Sequence, residues 1–370
     1  MSFTADDHLY MARALHLAER GLYTTTPNPR VGCVIVKNGQ IIGEGWHQKA
    51  GAPHAEINAL MQAGPASLGA TVYVTLEPCS HHGRTPPCAD ALIGAGVAKV
   101  IAAIQDPNPN VSGQGLARLK AAGITVEHGL LAAQSHDLNA GFVKRMVLGH
   151  PYVRIKTASS LDGKTALSSG ESKWITGEAA RADVHRLRAR SCAILTGINT
   201  VLADNPQLNV RGMDASRLDE ISEASRQPVK VIVDSTLRTP PDARILQGAK
   251  TIIACTEPDT KKTATLEAAG AEILCLPGAD GRVNLHALLS RLAQKGINEV
   301  MTEAGPRLNG SLLTAGLVDE WVQYVAPCLL GSDARPLFEL HEPATMQNRL
   351  NWKLVDQRMI DSDLRLTWRK

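Results

Sequence analysis

His54-Ala55-Glu56, followed by Pro78-Cys79 and then Cys88, constrains this chain more than any other feature, because three metal-ligand side chains and one carboxylate must converge for the pattern to have a use. One imidazole nitrogen and two thiolates suit Zn²⁺ and leave a fourth coordination position to water. An ion held in this way acidifies that water towards neutral pH. Glu56, two residues from the histidine, is then the group placed to move protons. The cysteines are separated by eight residues, Ser80 to Pro87, rather than the two of the short spacing. A closed structural site is the alternative. It needs a fourth ligand, which His81 or His82 can supply; otherwise these histidines are solvated loop residues or substrate contacts.

The surrounding pattern is that of an α/β domain. Thr4-Ala-Asp-Asp7 resembles a capping box, and Met11, Leu15, Ala18 and Leu22 follow at helical spacing. Strands at 31–36 and 41–46 flank Asn38-Gly39, a strong hairpin signal. A helix follows His54, a strand over 71–76 ends at Pro78-Cys79, and a helix starts at Cys88 behind Pro86-Pro87. Strands at 97–104 and 124–127, a helix at 115–122 and one closing helix at 130–148 complete a mixed sheet flanked by helices. Both ligand segments then sit at helix N-termini, where the dipole favours a thiolate.

Gly149-His150-Pro151 marks a boundary, giving domains of residues 1–148 and 149–370. Beyond it, strands at 152–156, 192–196, 229–233, 251–255, 272–276, 299–302 and 320–326 are interleaved with helices at 177–189, 285–294 and 308–313. The tail at 351–368 adds edge strands, and residues 212–228 form a polar surface loop. This is a three-layer α/β domain with a largely parallel sheet. The run Glu303-Ala304-Gly305-Pro306-Arg307-Leu308-Asn309-Gly310-Ser311 joins a strand to a helix, and can cradle phosphate on backbone N–H groups or be a tight turn without a ligand. It lacks the P-loop lysine, and Gly113-Gln-Gly115 fails the dinucleotide fingerprint at its third glycine, so neither an NTPase nor an ordinary Rossmann fold fits. Arg188 and Arg211 can each take a phosphate bidentately or sit in a surface salt bridge. Thr200, Asp204, Asp234 and Ser235 follow strands, where a cofactor cleft would lie.

Composition removes other classes. A formal net charge of +3 with 4% aromatic residues offers no basic, aromatic-bearing face for nucleic acid. No apolar run reaches membrane-spanning length, and the acidic N-terminus lacks a signal-peptide core, so a cytoplasmic protein is expected. Beyond Cys79 and Cys88, the cysteines 33, 192, 255, 275 and 328 lie in apolar runs and read as buried free thiols.

Asn28-Pro29-x-Val31-Gly32, His54-Ala-Glu56 and the long-spaced Pro78-Cys79 to Cys88 run resemble the deaminase half of the bifunctional riboflavin-biosynthesis deaminase–reductase family. Lys156-Thr-Ala158-Ser-Ser-Leu-Asp-Gly-Lys164, Trp174-Ile-Thr-Gly177, Thr200-Val-Leu-Ala-Asp204, Asn205-Pro-x-Leu208-x-Val-Arg211 and Glu303-Ala-Gly-Pro306 resemble its reductase half. The resemblance spans essentially the whole chain. It implies a cytidine-deaminase-like three-layer N-terminal domain and a dihydrofolate-reductase-like α/β C-terminal domain. It implies hydrolytic deamination of 2,5-diamino-6-(5-phosphoribosylamino)pyrimidin-4-one, releasing ammonia. NADPH reduction of the ribosyl group of 5-amino-6-(5-phosphoribosylamino)uracil to ribityl follows.

The resemblance also implies roles for particular residues. His54, Cys79 and Cys88 hold Zn²⁺, Glu56 is the catalytic proton shuttle, and Asn28 orients the base. Ser172, Arg188, Leu208, Arg211 and Glu303 hold the reductase substrate. Ala158, Trp174, Thr200, Asp204, Ser235 and the residues from Gly305 through Pro306, Arg307, Leu308, Asn309 and Gly310 to Ser311 hold NADPH. Lys156 is a candidate for sugar opening or proton transfer, and Arg238 for the 2′-phosphate. A homo-oligomer, dimer or tetramer, is expected, associating through the reductase half. Two other readings make different demands. A zinc deaminase acting on nucleic acid needs a basic face and no second cofactor domain. A zinc-stabilised binding protein would use its second domain only to sense a phosphorylated nucleotide.

Overall fold

Thr4 opens the first helix. Its hydroxyl accepts from the Asp7 amide while the Asp7 carboxylate accepts from the Thr4 amide, so α1 (Ala5–Glu19) begins with a complete capping box. The computed structural model describes residues 3–80, 86–109, 111–212 and 227–370. His81, His82 and most of the loop expected at 212–228 lie outside them. The chain divides into two compact units, Met1–His150 and Pro151–Lys370.

In the first unit β1 (Gly32–Lys37) and β2 (Gln40–Trp46) form the hairpin. Asn38 and Gly39 both take positive φ, 50° and 75°, as the tight turn between twisted strands requires. α2 (Ala55–Ala63), β3 (Thr71–Val74), α3 (Cys88–Gly94), β4 (Lys99–Ala102), α4 (Gln114–Ala121) and β5 (Thr125–His128) follow. The sheet order is β2-β1-β3-β4-β5, with β1 antiparallel to both neighbours and β3, β4 and β5 parallel. Met11, Ala14 and Leu17 of α1 cover one face against Val34, Val36 and Tyr73. Ala55, Ala59 and Leu92 cover the other against Cys33, Ile35 and Val72.

The single closing helix expected at 130–148 is two helices, α5 (Ala132–Leu138) and α6 (Ala140–Leu148). Asn139 separates them because its side chain has a distant partner. It accepts from the Arg30 amide at 2.8 Å and donates to the Arg30 carbonyl at 2.9 Å. The break thus anchors the loop that carries Asn28.

The second unit contains β6 (Tyr152–Ser160), β7 (Lys164–Ala166), α7 (Glu178–Arg190), β8 (Ala193–Gly197), α8 (Ile198–Asp204), β9 (Val229–Val233), β10 (Thr251–Cys255), α9 (Thr260–Ala268) and β11 (Ala271–Cys275). α10 (Leu285–Gln294), β12 (Glu299–Thr302), α11 (Pro306–Thr314), β13 (Glu320–Ala326), β14 (Arg335–Pro336), β15 (Lys353–Ile360) and β16 (Asp363–Arg369) complete it. The main sheet runs β11-β10-β9-β8-β12-β6-β13-β16-β15. It is parallel from β11 to β13 and antiparallel through the C-terminal hairpin, in keeping with the dihydrofolate-reductase-like α/β architecture expected. Val184, Val201 and Leu266 from α7, α8 and α9 pack on one face, and Leu288 and Leu312 from α10 and α11 on the other.

Other details also depart from the sequence reading, among them the short strands β7 and β14, which were not expected. The helices α8 and α9 were not expected; α9 is nucleated by Asp259, whose carboxylate accepts from the Lys261 and Lys262 amides. Of the two C-terminal strands only β15 is an edge, because β16 pairs with β13 as well. Residues 306–311 are helix rather than turn, since Pro306 is the first residue of α11 and Gly305 its N-cap. Finally, not all five remaining thiols are buried. All are free, but Cys275, at the end of edge strand β11, is exposed, and Cys192 and Cys328 are half-buried. Among the described residues no helix is long and apolar enough to cross a membrane.

Candidate active sites

His54 is the N-cap of α2, Glu56 lies in its first turn, and Cys88 is the first residue of α3. Cys79 lies in the loop after β3. The fold closes these segments on one another, with His54 Nδ1 3.6 Å from Cys79 Sγ and 3.3 Å from Cys88 Sγ. All three ligand atoms fall within 4.8 Å of one another. A tetrahedral zinc bonded at about 2.3 Å to sulfur and about 2.0 Å to nitrogen sets nitrogen and sulfur ligands roughly 3.5 Å apart, so the donor set fits the ion in both chemistry and spacing.

The electrostatics fit as well. The Cys79 thiol is pushed down by hydrogen bonding with Cys88, outweighing burial, and then by His54. Cys88 is driven far up by the same bond and by burial. The pair therefore holds one thiolate ready, and a cation would favour loss of the second proton. Glu56 is 3% exposed, and burial followed by the charge of Cys79 pushes its carboxyl up to about 7.

Two residues that the sequence did not single out support this centre. His47 is buried, and its Nδ1 faces the Pro53 carbonyl at 3.2 Å. Its proton therefore belongs on Nδ1, and Nε2 accepts from the Asn28 side-chain amide at 3.0 Å. Its ring also meets that of His54 edge-on, with centroids 5.2 Å apart. Asn28 is thus oriented by a side chain that touches the ligand histidine. The second is Glu77, next to Pro78-Cys79. Its buried carboxylate accepts from four backbone amides, those of Asp106, Gly113, Gly115 and Leu116, at 2.8–3.2 Å. Glu77 has a sequence signal, a carboxylate ending an apolar strand. His47 has little, because its partners are remote in sequence.

The Glu77 brace presses the start of α4 against the ligand loop. A Cβ on Gly115 would lie 1.9 Å from the Pro78 carbonyl oxygen, far inside contact distance. Gly115→Ala must therefore displace the backbone one residue from Cys79. Zinc affinity is expected to fall about 10- to 100-fold, as for other supports of metal ligands. Competition with a chromogenic chelator checks this, and wild-type affinity would show that the loop adapts.

In the second unit a cavity of about 1220 Å³ opens where β6, β8, β9 and β12 end. Crevices at the carboxyl ends of parallel strands are the usual ligand position in such sheets. The expected substrate residues Ser172, Arg188, Leu208, Arg211 and Glu303 all line it. So do Ala158, Trp174, Thr200, Asp204 and Ser235, together with Gly305, Pro306, Arg307, Leu308, Asn309 and Ser311. Gly310 does not line it. A Cβ there would meet the Glu339 carbonyl oxygen at 2.1 Å, so this glycine serves the packing of α11. The Asn309 side chain is committed as well, accepting from Thr302 Oγ1 and donating to the Ala304 carbonyl.

Arg188 and Glu303 meet in a fork, with Nε to Oε1 at 2.5 Å and Nη2 to Oε2 at 3.0 Å, while Arg188 Nη1 donates to the Asn209 carbonyl. Burial would raise the Glu303 carboxyl, but Arg188 holds it down at about 2. Lys156 Nζ stands 4.0 Å from Glu303 Oε2, and burial lowers its pKa.

Comparison with known proteins assigns both halves. Residues 4–104 match the cytidine and deoxycytidylate deaminase zinc-binding region, and residues 151–366 match the RibD C-terminal domain. The riboflavin biosynthesis protein RibD of Escherichia coli is 52% identical, covering 97% of this chain and 98% of its own. That of Haemophilus influenzae is 48% identical, covering 100% and 98%. Among solved structures, Acinetobacter baumannii RibD superposes with a TM-score of 0.90 at 48% identity, covering 98% of each chain. A Thermotoga maritima diaminohydroxyphosphoribosylaminopyrimidine deaminase/5-amino-6-(5-phosphoribosylamino)uracil reductase superposes with a TM-score of 0.85 at 33% identity, again covering 98% of each. With both halves matched in order and over nearly full length, the chain belongs to the RibD family of riboflavin biosynthesis proteins.

Proposed function

We propose that this chain catalyses two consecutive steps of riboflavin biosynthesis on one phosphoribosyl pyrimidine, with residues 1–148 acting as the deaminase and residues 149–370 as the NADPH-dependent reductase. The observation that carries the reading is the convergence of His54 Nδ1 and the two cysteine sulfurs within 4.8 Å beside buried Glu56. The full-length relatedness to RibD proteins supports it. When bound, zinc supplies a Lewis acid that makes water a nucleophile at neutral pH. Glu56 takes the proton from that nucleophile and returns it to the departing amine at C2 of the ring. Asn28, held by His47, orients the pyrimidinone.

In the second unit Arg188 and Arg211 face the substrate phosphate, with Ser172, Leu208 and Glu303 around the rest of the molecule. Ala158, Trp174, Thr200, Asp204, Ser235 and the start of α11 hold the cofactor. NADPH supplies the reducing equivalent, and the protein's part is to place it. Lys156 is assigned proton transfer at the sugar, because it is buried at the cavity with its Nζ 4.0 Å from ionised Glu303, and burial lowers its pKa. Arg238, which donates to Asn199 at the cavity wall, is assigned the 2′-phosphate. We further propose a cytoplasmic homo-oligomer formed through residues 149–370, where edge strand β15 exposes Leu354, Val355 and Met359.

A staged assay tests the reading. With the diaminopyrimidinone ribosyl phosphate and zinc-loaded protein, ammonia is expected without NADPH, and NADPH oxidation only once ammonia has been released. Oxidation preceding ammonia would reverse the order, and no ammonia at all would overturn the substrate.

A further inference from the structure

Cys255 ends β10 and Cys275 ends β11, and the parallel register sets the two directly opposite each other. Opposite residues on neighbouring strands have Cα atoms about 4.8 Å apart, within the roughly 4.4–6.8 Å that a disulfide spans. Both side chains lie on one face of the sheet. Cys255 packs there with Ile253, Leu266 and Ile273, and Cys275, two residues after Ile273, shares its side. The thiols also interact. Burial, then the charges of Cys275 and Asp234 and a hydrogen bond with Cys275, push the Cys255 thiol up to about 11. Both cysteines are free, Cys255 buried and Cys275 exposed. β11 is an edge strand with a neighbour on one side, so its end has room for the small shift that bond closure needs.

The pair stands behind the cavity wall. Cys275 Sγ donates to the Thr256 carbonyl at 3.2 Å. Thr256 in turn donates from its amide and its hydroxyl to the Ser235 carbonyl, at 3.1 and 2.9 Å, and Ser235 lines the cavity. We propose that Cys255 and Cys275 are a redox-sensitive dithiol, closed to a disulfide by a small-molecule disulfide such as glutathione disulfide, and that closure weakens cofactor binding at Ser235. The second half rests on the reading that Ser235 holds NADPH. The exposed Cys275, as thiolate, attacks the oxidant and releases one glutathione thiol. Cys255 then gives up its proton, displaces the second glutathione and forms the Cys255–Cys275 bond. Two protein thiols are oxidised, and one glutathione disulfide is reduced to two thiols. Sulfur in a disulfide carries no proton, so the Thr256 carbonyl loses the donor that Cys275 supplied.

The test treats the full-length, zinc-loaded protein with glutathione disulfide and digests it with trypsin, which cuts after Lys261 and Lys262 and so separates the two cysteines. A linked peptide pair holding Cys255 and Cys275, lost on reduction with dithiothreitol, is expected. Zinc content is measured in parallel, as the control that Cys79 and Cys88 are untouched. By calorimetry, the oxidised protein freed of glutathione should bind NADP⁺ about fivefold more weakly than the reduced protein, the scale of one hydrogen bond. Cys275→Ser should show neither the link nor the oxidation-dependent change. Absence of the linked pair, or Cys275 carrying only glutathione, overturns the proposal. A linked pair with unchanged NADP⁺ affinity overturns its second half, and Ser235→Ala then separates the causes. Weaker binding in that variant leaves Ser235 at the cofactor and removes only the coupling, whereas normal binding removes the reading of Ser235 as well.

Discussion

Glu56→Gln is expected to lower ammonia release by about 10³-fold while zinc remains bound and the reductase step, assayed on the deaminated intermediate, keeps its rate. The magnitude is that of a positioned general acid–base group. Glutamine keeps the volume and a hydrogen-bonding end but cannot accept a proton. The ligand cluster itself, His54, Cys79 and Cys88, supplies no carboxylate among the described residues. Environment makes Glu56 suitable for the task. Burial, reinforced by the Cys79 charge, pushes it up to about 7, where it can both take and return a proton at physiological pH. A bound cation pulls the other way, so the acid limb of kcat/KM for the zinc-loaded enzyme should lie below 7, with activity lost as pH falls and the base form disappears. Metal analysis and single-step assays of the variant separate the outcomes. Undiminished ammonia release would remove Glu56 from the chemistry, and loss of zinc would make it a structural support.

The centre around Glu56 was legible in the sequence because its chemistry is written in residue types. Few arrangements other than a metal site need His, Cys and Cys ahead of helix starts with a carboxylate two residues from the histidine. The strand β12 and the helix α10 were equally legible, since Asn284 caps α10 and Leu288, Leu289 and Leu292 form its apolar stripe. The features that escaped depend on partners far along the chain. Asn139 breaks a helix for the sake of Arg30, and Glu77 gathers amides from a loop about thirty residues later. Likewise Arg188 reads in sequence as a phosphate ligand or a surface salt bridge, whereas its fork is occupied by Glu303, just after β12 and 115 residues away. Local pattern reports periodicity and caps, and it is silent about which polar groups will be shared.

Glu320→Ala is expected to destabilise the unit formed by residues 151–370 by about 3–5 kcal/mol, because it leaves a buried guanidinium short of a partner. Arg154 is 1% exposed and is held by Glu320 through Nε and by Glu299 at 3.4 Å. Glu320 also receives Arg369 at 3.1 Å, and Glu299 receives Arg190 at 3.3 Å. The register shows what this cluster holds. Glu320 lies opposite Arg154, Val322 opposite Lys156, and Tyr324 opposite Ala158. On the other side of β6, Met301 lies opposite Arg154, and Glu303 continues the same face of β12 two residues further on. One face of three adjacent strands therefore carries the ion cluster at its N-terminal end and Lys156, Ala158, Tyr324 and Glu303 at the cavity end. For a unit of this size the loss corresponds to a fall in melting temperature on the order of 10 °C. Acid should act in the same direction. Burial alone would raise the Glu320 carboxyl, but Arg154, then Arg190 and Arg369, hold it at about 2, below its ordinary 4.5. A depressed carboxyl contributes stability that is present above pH 4.5 and lost as pH falls towards 2. Calorimetric melts of wild type and variant across that window should therefore converge at low pH. Curves that coincide at every pH would show that Glu320 carries little of the stability, and curves that stay apart down to pH 2 would show that its contribution does not depend on its charge.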